Sequence, residues 1–341
     1  MVAAKVNRRA VLGLGLGTMA VAGAALATSG TAVAQQARPR QADVTTASAA
    51  CDVIAEVYRA ETAAAGGTWS SLVSVVDAAG TAVPSVQESI DEVVEAYSVN
   101  KIAVAVAVLD KIDRGLITLD QQVEVSAEII ANDGDGVFYL DRAYPSQVTV
   151  GHVLALLLTV SDNTAVRLSG LVCPAAELNE ILVAKGYPQT QVSPVANPNR
   201  FFLGRTTPRE THDMLNALVA GTLLSAESTE FLLNCLRAPV AFTDGIRREM
   251  SSDERLRVAT KAGWFNDGRN EAGVIFDLDG APVLTFALFA RGVRDEGNFG
   301  ATHPAVQARS VMGRVFLDSV TPLTSPLENR EIPDYRPRNG G

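Results

Sequence analysis

The spacing of apolar positions divides the chain into helical and extended stretches in a definite order. Cys51, Ile54, Val57 and Tyr58 recur at intervals of three and four, which predicts a helix over residues 49–65. The valine-rich residues 70–77, the Ala78-Ala79-Gly80 turn and residues 81–86 read as a β-hairpin. A run of small and branched apolar residues after Ser98 predicts a helix to about Arg114. From there to about Glu249 the pattern is mostly helical with long loops. It includes a short extended segment over 119–129, a buried helix over 148–158 and a helical continuation over 165–171. Thr207, Pro208 and Glu210 form helix-starting chemistry ahead of Met214, Leu215, Leu218 and Val219, and a further helix is expected over 225–236. Strands over 273–278 and 282–291 are joined by the hairpin signal Asp279-Gly280, and a helix over 304–320 closes the pattern. Residues 321–341 read as a polar, proline-rich tail.

This order puts extended segments at both ends and helices between them. It divides the chain into an α/β part, residues 49–95 and 250–320, and a helical part, 96–249, lying between them in the sequence. The loop Asn132-Asp133-Gly134-Asp135-Gly136 resembles the opening of a calcium loop, but the twelfth position from Asp133 is Tyr144 rather than glutamate, so a plain turn is expected.

Composition sharpens the picture in three places. With 47% hydrophobic and 20% charged residues, 341 residues suffice for one enzyme-sized core, and the net charge of −9 argues against a nucleic-acid partner. Residues 1–34 hold Asn7-Arg8-Arg9 ahead of an Ala/Gly-rich apolar run and end in Ala32-Val33-Ala34, a small-x-small cleavage site. They read as a twin-arginine-like signal peptide for the export machinery, too short and glycine-broken for a permanent membrane anchor. Export, a polar leader over 35–48 and a mature net charge of −9 − 3 = −12 are therefore expected, because Lys5, Arg8 and Arg9 leave with the signal and no acid does. Cys51, Cys173 and Cys235 allow at most one disulfide, whose pairing stays open, and none has a histidine at ligand spacing. Buried, inert thiols are expected, with no metal and no cofactor.

The candidate chemistry begins at Ser98-Val99-Asn100-Lys101, a hydroxyl and an amine three residues apart on one helical face. Alone, the pair is weak and reads more readily as a capping serine and a surface lysine. Ser161-Asp162-Asn163 after the apolar run 153–160, and Lys261-Ala262-Gly263 before the last strands, supply two more fragments. Ser-x-x-Lys, Ser-Asp-Asn and Lys-Thr-Gly in that order mark class A β-lactamases and penicillin-binding proteins. The chain resembles the penicillin-recognising serine hydrolases, most closely class A β-lactamases, over roughly residues 49–320, with the last fragment altered.

That resemblance implies a β-lactamase/transpeptidase-like fold, an antiparallel sheet flanked by helices with the helical part inserted. It implies Ser98 as nucleophile, Lys101 as its neighbouring amine and Ser161 as proton relay to the leaving group. Asn163 would bind the substrate amide and Lys101, and Lys261 would supply positive charge. The backbone N–H groups of Ser98 and Trp264 would form the oxyanion hole, Gly263, Trp264 and Asn163 would contact substrate, and Asp162 would hold its loop. The departures are specific. No Asp or Glu occurs between Ile181 and Arg209, where the family places its water-activating glutamate, and Glu210 lies just past the Thr206-Thr207-Pro208 that resembles the end of the family's omega loop. Ala262 replaces a hydroxyl residue, Trp264 narrows the cleft, and only Arg269 lies near the place of a carboxylate-binding arginine. The leading expectation is a monomeric, exported serine acyl hydrolase acting through an acyl-enzyme on a β-lactam or another small ester or amide. The alternatives are an esterase or D,D-peptidase-like enzyme with poor β-lactam deacylation, and a catalytically weak penicillin-binding protein.

Overall fold

The computed structural model describes residues 44–324 apart from 133 and 135. The expected signal peptide, residues 35–43 of the leader, Asp133 and Asp135 of the glycine-rich loop and the tail from 325 lie outside the described residues. In chain order, α1 (Ala47–Ala65) precedes β1 (Thr68–Val76) and β2 (Ala82–Glu88). The two-residue strand β3 (Val94–Glu95) and a 3-10 turn (Tyr97–Asn100) lead into α2 (Lys101–Asp113). Next come β4 (Gln122–Val125), α3 (Val137–Asp141), β5 (Ser146–Thr149), α4 (Val150–Thr159), α5 (Asn163–Val172) and α6 (Ala175–Ala184). Strands β6 (Gln191–Pro194) and β7 (Phe201–Thr206) are followed by α7 (Pro208–Val219), α8 (Ala226–Arg237) and α9 (Ser252–Arg255). The chain then returns through β8 (Val258–Phe265), β9 (Gly268–Phe276), β10 (Pro282–Arg291) and α10 (Pro304–Val320).

Side-chain caps set many of these boundaries. Thr46 Oγ1 accepts Ala49 N–H at the start of α1, and Thr207 and Ser225 accept Glu210 N–H and Ser228 N–H at the starts of α7 and α8. Asp77 and Asp277 each accept two backbone N–H bonds across their turns, which closes the β1–β2 and β9–β10 hairpins.

The main sheet is antiparallel in the order β2-β1-β10-β9-β8, so the central β10 comes from the end of the chain and lies between β1 and β9. Residues 283–290 are all buried. Alternation still decides which core each side chain joins. Phe286 and Leu288 pack with Ile54, Tyr58, Met312 and Phe316 of α1 and α10. Ala287 and Phe289 face the other way, into a core shared with Val104, Leu154 and Leu215 of α2, α4 and α7. Helix α2 is buried continuously from Lys101 to Leu109. A helix with no polar face is held by burial on all sides, at roughly 1.5–3 kcal/mol for each large apolar side chain.

Three expectations need correction. Ser98 does not begin an α-helix: it lies in the 3-10 turn, and α2 starts at Lys101 after Asn100, which makes no side-chain cap. The stretch expected as one helix over 148–158 is divided, because residues up to Thr149 extend β5 against β4 before Thr149 caps α4. The region after α6 is not merely loop: β7 pairs with both β6 and β3, forming a three-stranded sheet beside the turn that holds Ser98. These strands are too short, and too interrupted by Pro194 and Pro198, to leave a period-2 pattern in the sequence.

Candidate active site

Tyr97 adopts a left-handed conformation (φ 49°), after which the chain tightens into the turn holding Ser98, with Val99 N–H donating to Ala96 O at 3.3 Å. Residues three apart eclipse in a 3-10 turn, so Ser98 and Lys101 keep a common side although the helix type differs from expectation. The turn is clamped from two directions. From β9, Asn270 Nδ2 donates to Glu95 O (2.9 Å) and Ala96 O (3.4 Å), while its Oδ1 accepts Ala290 N–H (3.2 Å). Towards β7, Ala96 N–H donates to Gly204 O (2.9 Å) and Asn100 Nδ2 to Leu203 O (2.7 Å) and Arg205 O (3.0 Å). Strand β8 meets the turn at backbone contact. A Cβ on Gly263 would lie 2.6 Å from Ser98 N and 2.8 Å from Val99 N, so only glycine lets the Gly263–Trp264 peptide come alongside the Ser98 amide.

Two lysines converge on Ser161. Lys101, fully buried, donates from Nζ to Ser161 O, to Ser161 Oγ (3.0 Å) and to Asn163 Oδ1 (2.7 Å). Lys261, 2% exposed, donates to Ser161 Oγ (2.9 Å) and to Ala262 O (2.8 Å). A hydroxyl can accept from both amines and keep its own proton for a third partner. Burial, and then the Lys101 charge, push the Lys261 amine well below the usual lysine range, opposed by Glu271. Glu271 is itself buried, accepting from Thr260 Oγ1 at 2.8 Å and pairing with Arg309 at 3.4 Å. Ser161 is also left-handed (φ 61°), and Asp162 fixes it there by accepting Phe138 N–H and Ala165 N–H, each at 3.1 Å. Asp162 is therefore a loop brace and the N-cap of α5.

Ser98, Asn163 and Trp264 line a cavity of about 610 Å³, with Val166, Phe201 and Leu203 among its apolar walls. Ser161, Lys261 and Trp264 line a second cavity of about 250 Å³, with Val240 and Phe242. A half-buried hydroxyl at Ser98, two buried amines and a second hydroxyl at Ser161 are groups that acyl-transfer chemistry can use.

The family model described as "Beta-lactamase enzyme family" matches residues 53–319. The chain belongs to the beta-lactamase enzyme family. Among solved structures, the beta-lactamase from Sphaerobacter thermophilus DSM 20745 is 22% identical, with 78% of this chain and 95% of that one covered at a TM-score of 0.64. A beta-lactamase from Xanthomonas campestris pv. campestris is 20% identical, covering 80% and 98% at 0.66. The L158E mutant of PBP-A, described as an acyl-enzyme complex with penicillin G, is 20% identical, covering 78% and 95% at 0.63. At these identities the likeness is one of fold. Comparison with curated protein sequences yields no match.

Against that family background, several side chains have defined structural duties. Glu210 accepts Gln189 N–H (2.9 and 3.0 Å), Thr190 N–H (2.7 Å) and the Thr190 hydroxyl (2.7 Å), so its carboxylate braces the loop before β6. Arg269 is buried, gives its donors to the carbonyls of Asn266, Gly268, Glu296 and Asn298, and stacks 4.5 Å from the Phe299 ring. The three cysteines are free and buried, and burial raises all their thiols, Cys173 to about 12 and Cys235 to about 11. Among the described residues no acidic, histidine and cysteine cluster could hold a metal, and no helix is long and apolar enough to cross a membrane. Sequence reasoning overlooked Phe242, whose ring lies 5.5 Å from that of Trp264, and Glu95, an exposed carboxylate on the larger cavity. Glu95 carried a signal, three residues before Ser98; Phe242 carried none, because it meets Trp264 only through the fold.

Proposed function

We propose that the chain is an exported serine acyl hydrolase working through a Ser98 acyl-enzyme. The observation that carries this reading is the convergence of Lys101, Lys261 and Asn163 around Ser161, with Lys101 one 3-10 turn beyond Ser98. With Lys101 in its neutral form, Ser98 Oγ attacks the acyl carbon as the serine's proton passes to that amine. Charge developing on the carbonyl oxygen is met by the N–H groups of Ser98 and Trp264. The bond to the leaving group breaks, and that group takes its proton through the Ser161 hydroxyl, with Lys261 supplying positive charge beside it. Water then attacks the ester, Ser98 Oγ departs with a proton, and the free acid leaves.

The second step limits turnover on β-lactams in this reading. No Asp or Glu lies between Ile181 and Arg209, and Glu210 is occupied with the backbone of Gln189 and Thr190. A tethered lactam amine also stays in the cleft, whereas an alcohol departs and frees that side for water. Short activated esters should therefore turn over faster than β-lactams, which should give a burst and then a slow steady rate. Export of a mature protein beginning near Gln35 rests on the composition of residues 1–34. Intact-mass measurement after exposure to a chromogenic cephalosporin and to a nitrophenyl ester, with stopped-flow kinetics on both, tests the proposal. Ser98→Ala should lose the adduct; retention of the parent's rate by that variant would refute it, and fast, burst-free cephalosporin turnover would restore an ordinary β-lactamase.

A further inference from the structure

The larger cavity carries Ser98 and the smaller carries Ser161 and Lys261, and Trp264 is the one residue lining both. Its half-buried ring is braced by Phe242 with centroids 5.5 Å apart and planes at 37°. Phe242 is backed in turn by Gly245, where an added Cβ would lie 3.1 Å from the Phe242 ring. Building on the acyl-transfer reading, we propose that the Trp264 ring, held by Phe242, is the specificity-determining wall of this cleft, selecting uncharged acyl donors with an apolar acyl group. Donors carrying a carboxylate on the leaving side, β-lactams among them, acylate Ser98 more slowly.

Volume and charge point the same way. At about 610 Å³ the Ser98 compartment lies within the range of small-molecule pockets, roughly 300–1,000 Å³, and the compartment behind the ring, about 250 Å³, falls below it. The acyl group therefore belongs with Ser98, among Val166, Phe201 and Leu203, under a lip formed by Phe202 and Phe265, 72% and 60% exposed. The cations that could receive a carboxylate are held by other groups or lie on the acyl side of the ring. Lys261 lies in the smaller compartment and donates to Ser161 Oγ and Ala262 O. Arg269 is buried with its donors committed to backbone carbonyls, and Arg167, on the larger cavity, gives Nη1 to Ile130 O (2.6 Å) and Ile129 O (3.3 Å). Ala262, fully buried, adds no hydroxyl on this strand. A leaving atom needs one hydrogen bond from the half-buried Ser161 hydroxyl, whereas a carboxylate seeking the Lys261 charge would have to enter the smaller compartment beyond the ring, where Lys261 is buried behind Ser161. For such a donor Ser98 Oγ bonds to the acyl carbon, the carbon–sulfur or carbon–oxygen bond breaks, and the thiol or alcohol departs with the serine's proton.

Two thioesters of phenylacetic acid test the wall, one releasing thioglycolate and the other its methyl ester, with thiol release measured and the Ser98 adduct checked by intact mass. The parent should favour the neutral leaving group in kcat/KM by at least tenfold. Trp264→Ala should bring the ratio to within threefold. Phe242→Ala should move it the same way; since it changes no charge, general repulsion of anions by this acidic protein cannot account for the movement. Thermal melting of both variants identifies any that fails to fold, and the other then carries the test. Equal rates in the parent, or an unchanged ratio in the folded variants, would overturn the wall while leaving the acyl-enzyme intact. If neither thioester labels Ser98 in the parent, the acyl-enzyme reading falls and the wall with it.

Discussion

Replacing Gly263 with alanine tests most directly how the nucleophile turn is positioned. The added methyl would lie 2.6 Å from Ser98 N, 2.8 Å from Val99 N and 2.9 Å from Ala96 O, all backbone atoms that cannot rotate away. Ordinary contact begins near 3.4 Å, so strand and turn must separate by 3.4 − 2.6 = 0.8 Å at the tightest point. Overpacking of this kind costs about 1–3 kcal/mol, which in a protein of this size lowers the melting temperature by several degrees. The catalytic effect should be larger than the stability effect. An oxyanion donor displaced by nearly its own bond tolerance loses most of its value, and misplacement on this scale costs roughly 100-fold in rate. The assay is stopped-flow acylation by a nitrophenyl ester, read as the burst rate, with thermal melting in parallel. Gly297→Ala serves as control, because a Cβ there meets nothing within 4 Å. If Gly263→Ala acylates within threefold of the parent and melts at the same temperature, the close approach is not what sets the Ser98 amide.

Two further outcomes are expected. Glu210→Gln replaces an acceptor-only carboxylate with a group carrying two donors of its own, against four contacts from Gln189 and Thr190; differential scanning calorimetry should show a loss of roughly 2–3 kcal/mol, and an unchanged melting temperature would refute the bracing role. Burial, then Arg269 and Arg309, hold the His303 imidazole down to about 4, opposed by Asp295. Because the folded value lies below the ordinary 6.5, the unfolded chain takes up the proton first, so this contribution is complete above pH 6.5 and lost as pH falls to 4. His303 Nδ1 also caps α10 by accepting Ala305 N–H, a duty asparagine can perform, so His303→Asn should flatten the fall in melting temperature between pH 6.5 and 4, and parallel curves would count against it.

What the sequence discloses here depends on how far apart the interacting groups lie along the chain. Ser98 and Lys101 could be paired from spacing alone, since residues three apart share a side in an α-helix and in the 3-10 turn that forms instead. The ends of α7 and α8 were legible because Thr207, Pro208 and Ser225 act within one helical turn. The two hairpins were legible because their turn residues are local. Asn270 was not, since its duty is to hold Glu95 and Ala96 from a strand some 175 positions away. Strands β6 and β7 were hidden by their length and prolines, and the partition of the cleft by needing Phe242 and Trp264 side by side.

Two of the non-glycine residues with positive φ, Tyr97 and Ser161, show how this cleft separates reaction from selection. Tyr97 and Ser161 both hold positive φ without being glycine, a conformation that costs on the order of 1–3 kcal/mol each. Glycine would remove the strain at Ser161, but also the hydroxyl to which both Lys101 and Lys261 donate, leaving two buried amines short of an acceptor. At Tyr97 glycine would remove a ring that packs 6.0 Å from Phe265 and over Gly268, where a Cβ would come within 2.2 Å of it. In each case the strained backbone is fixed by hydrogen bonds from neighbours: Asp162 for Ser161, and Asn270 with Gly204 for the turn. The reacting groups are thus set by hydrogen bonds from buried residues. The proposed walls, Trp264, Phe202 and Phe265, are side chains that pack on the rings of Phe242 and Tyr97 or face solvent. Their substitution should therefore change which acyl donors are taken without dismantling the Ser161 and lysine cluster beneath.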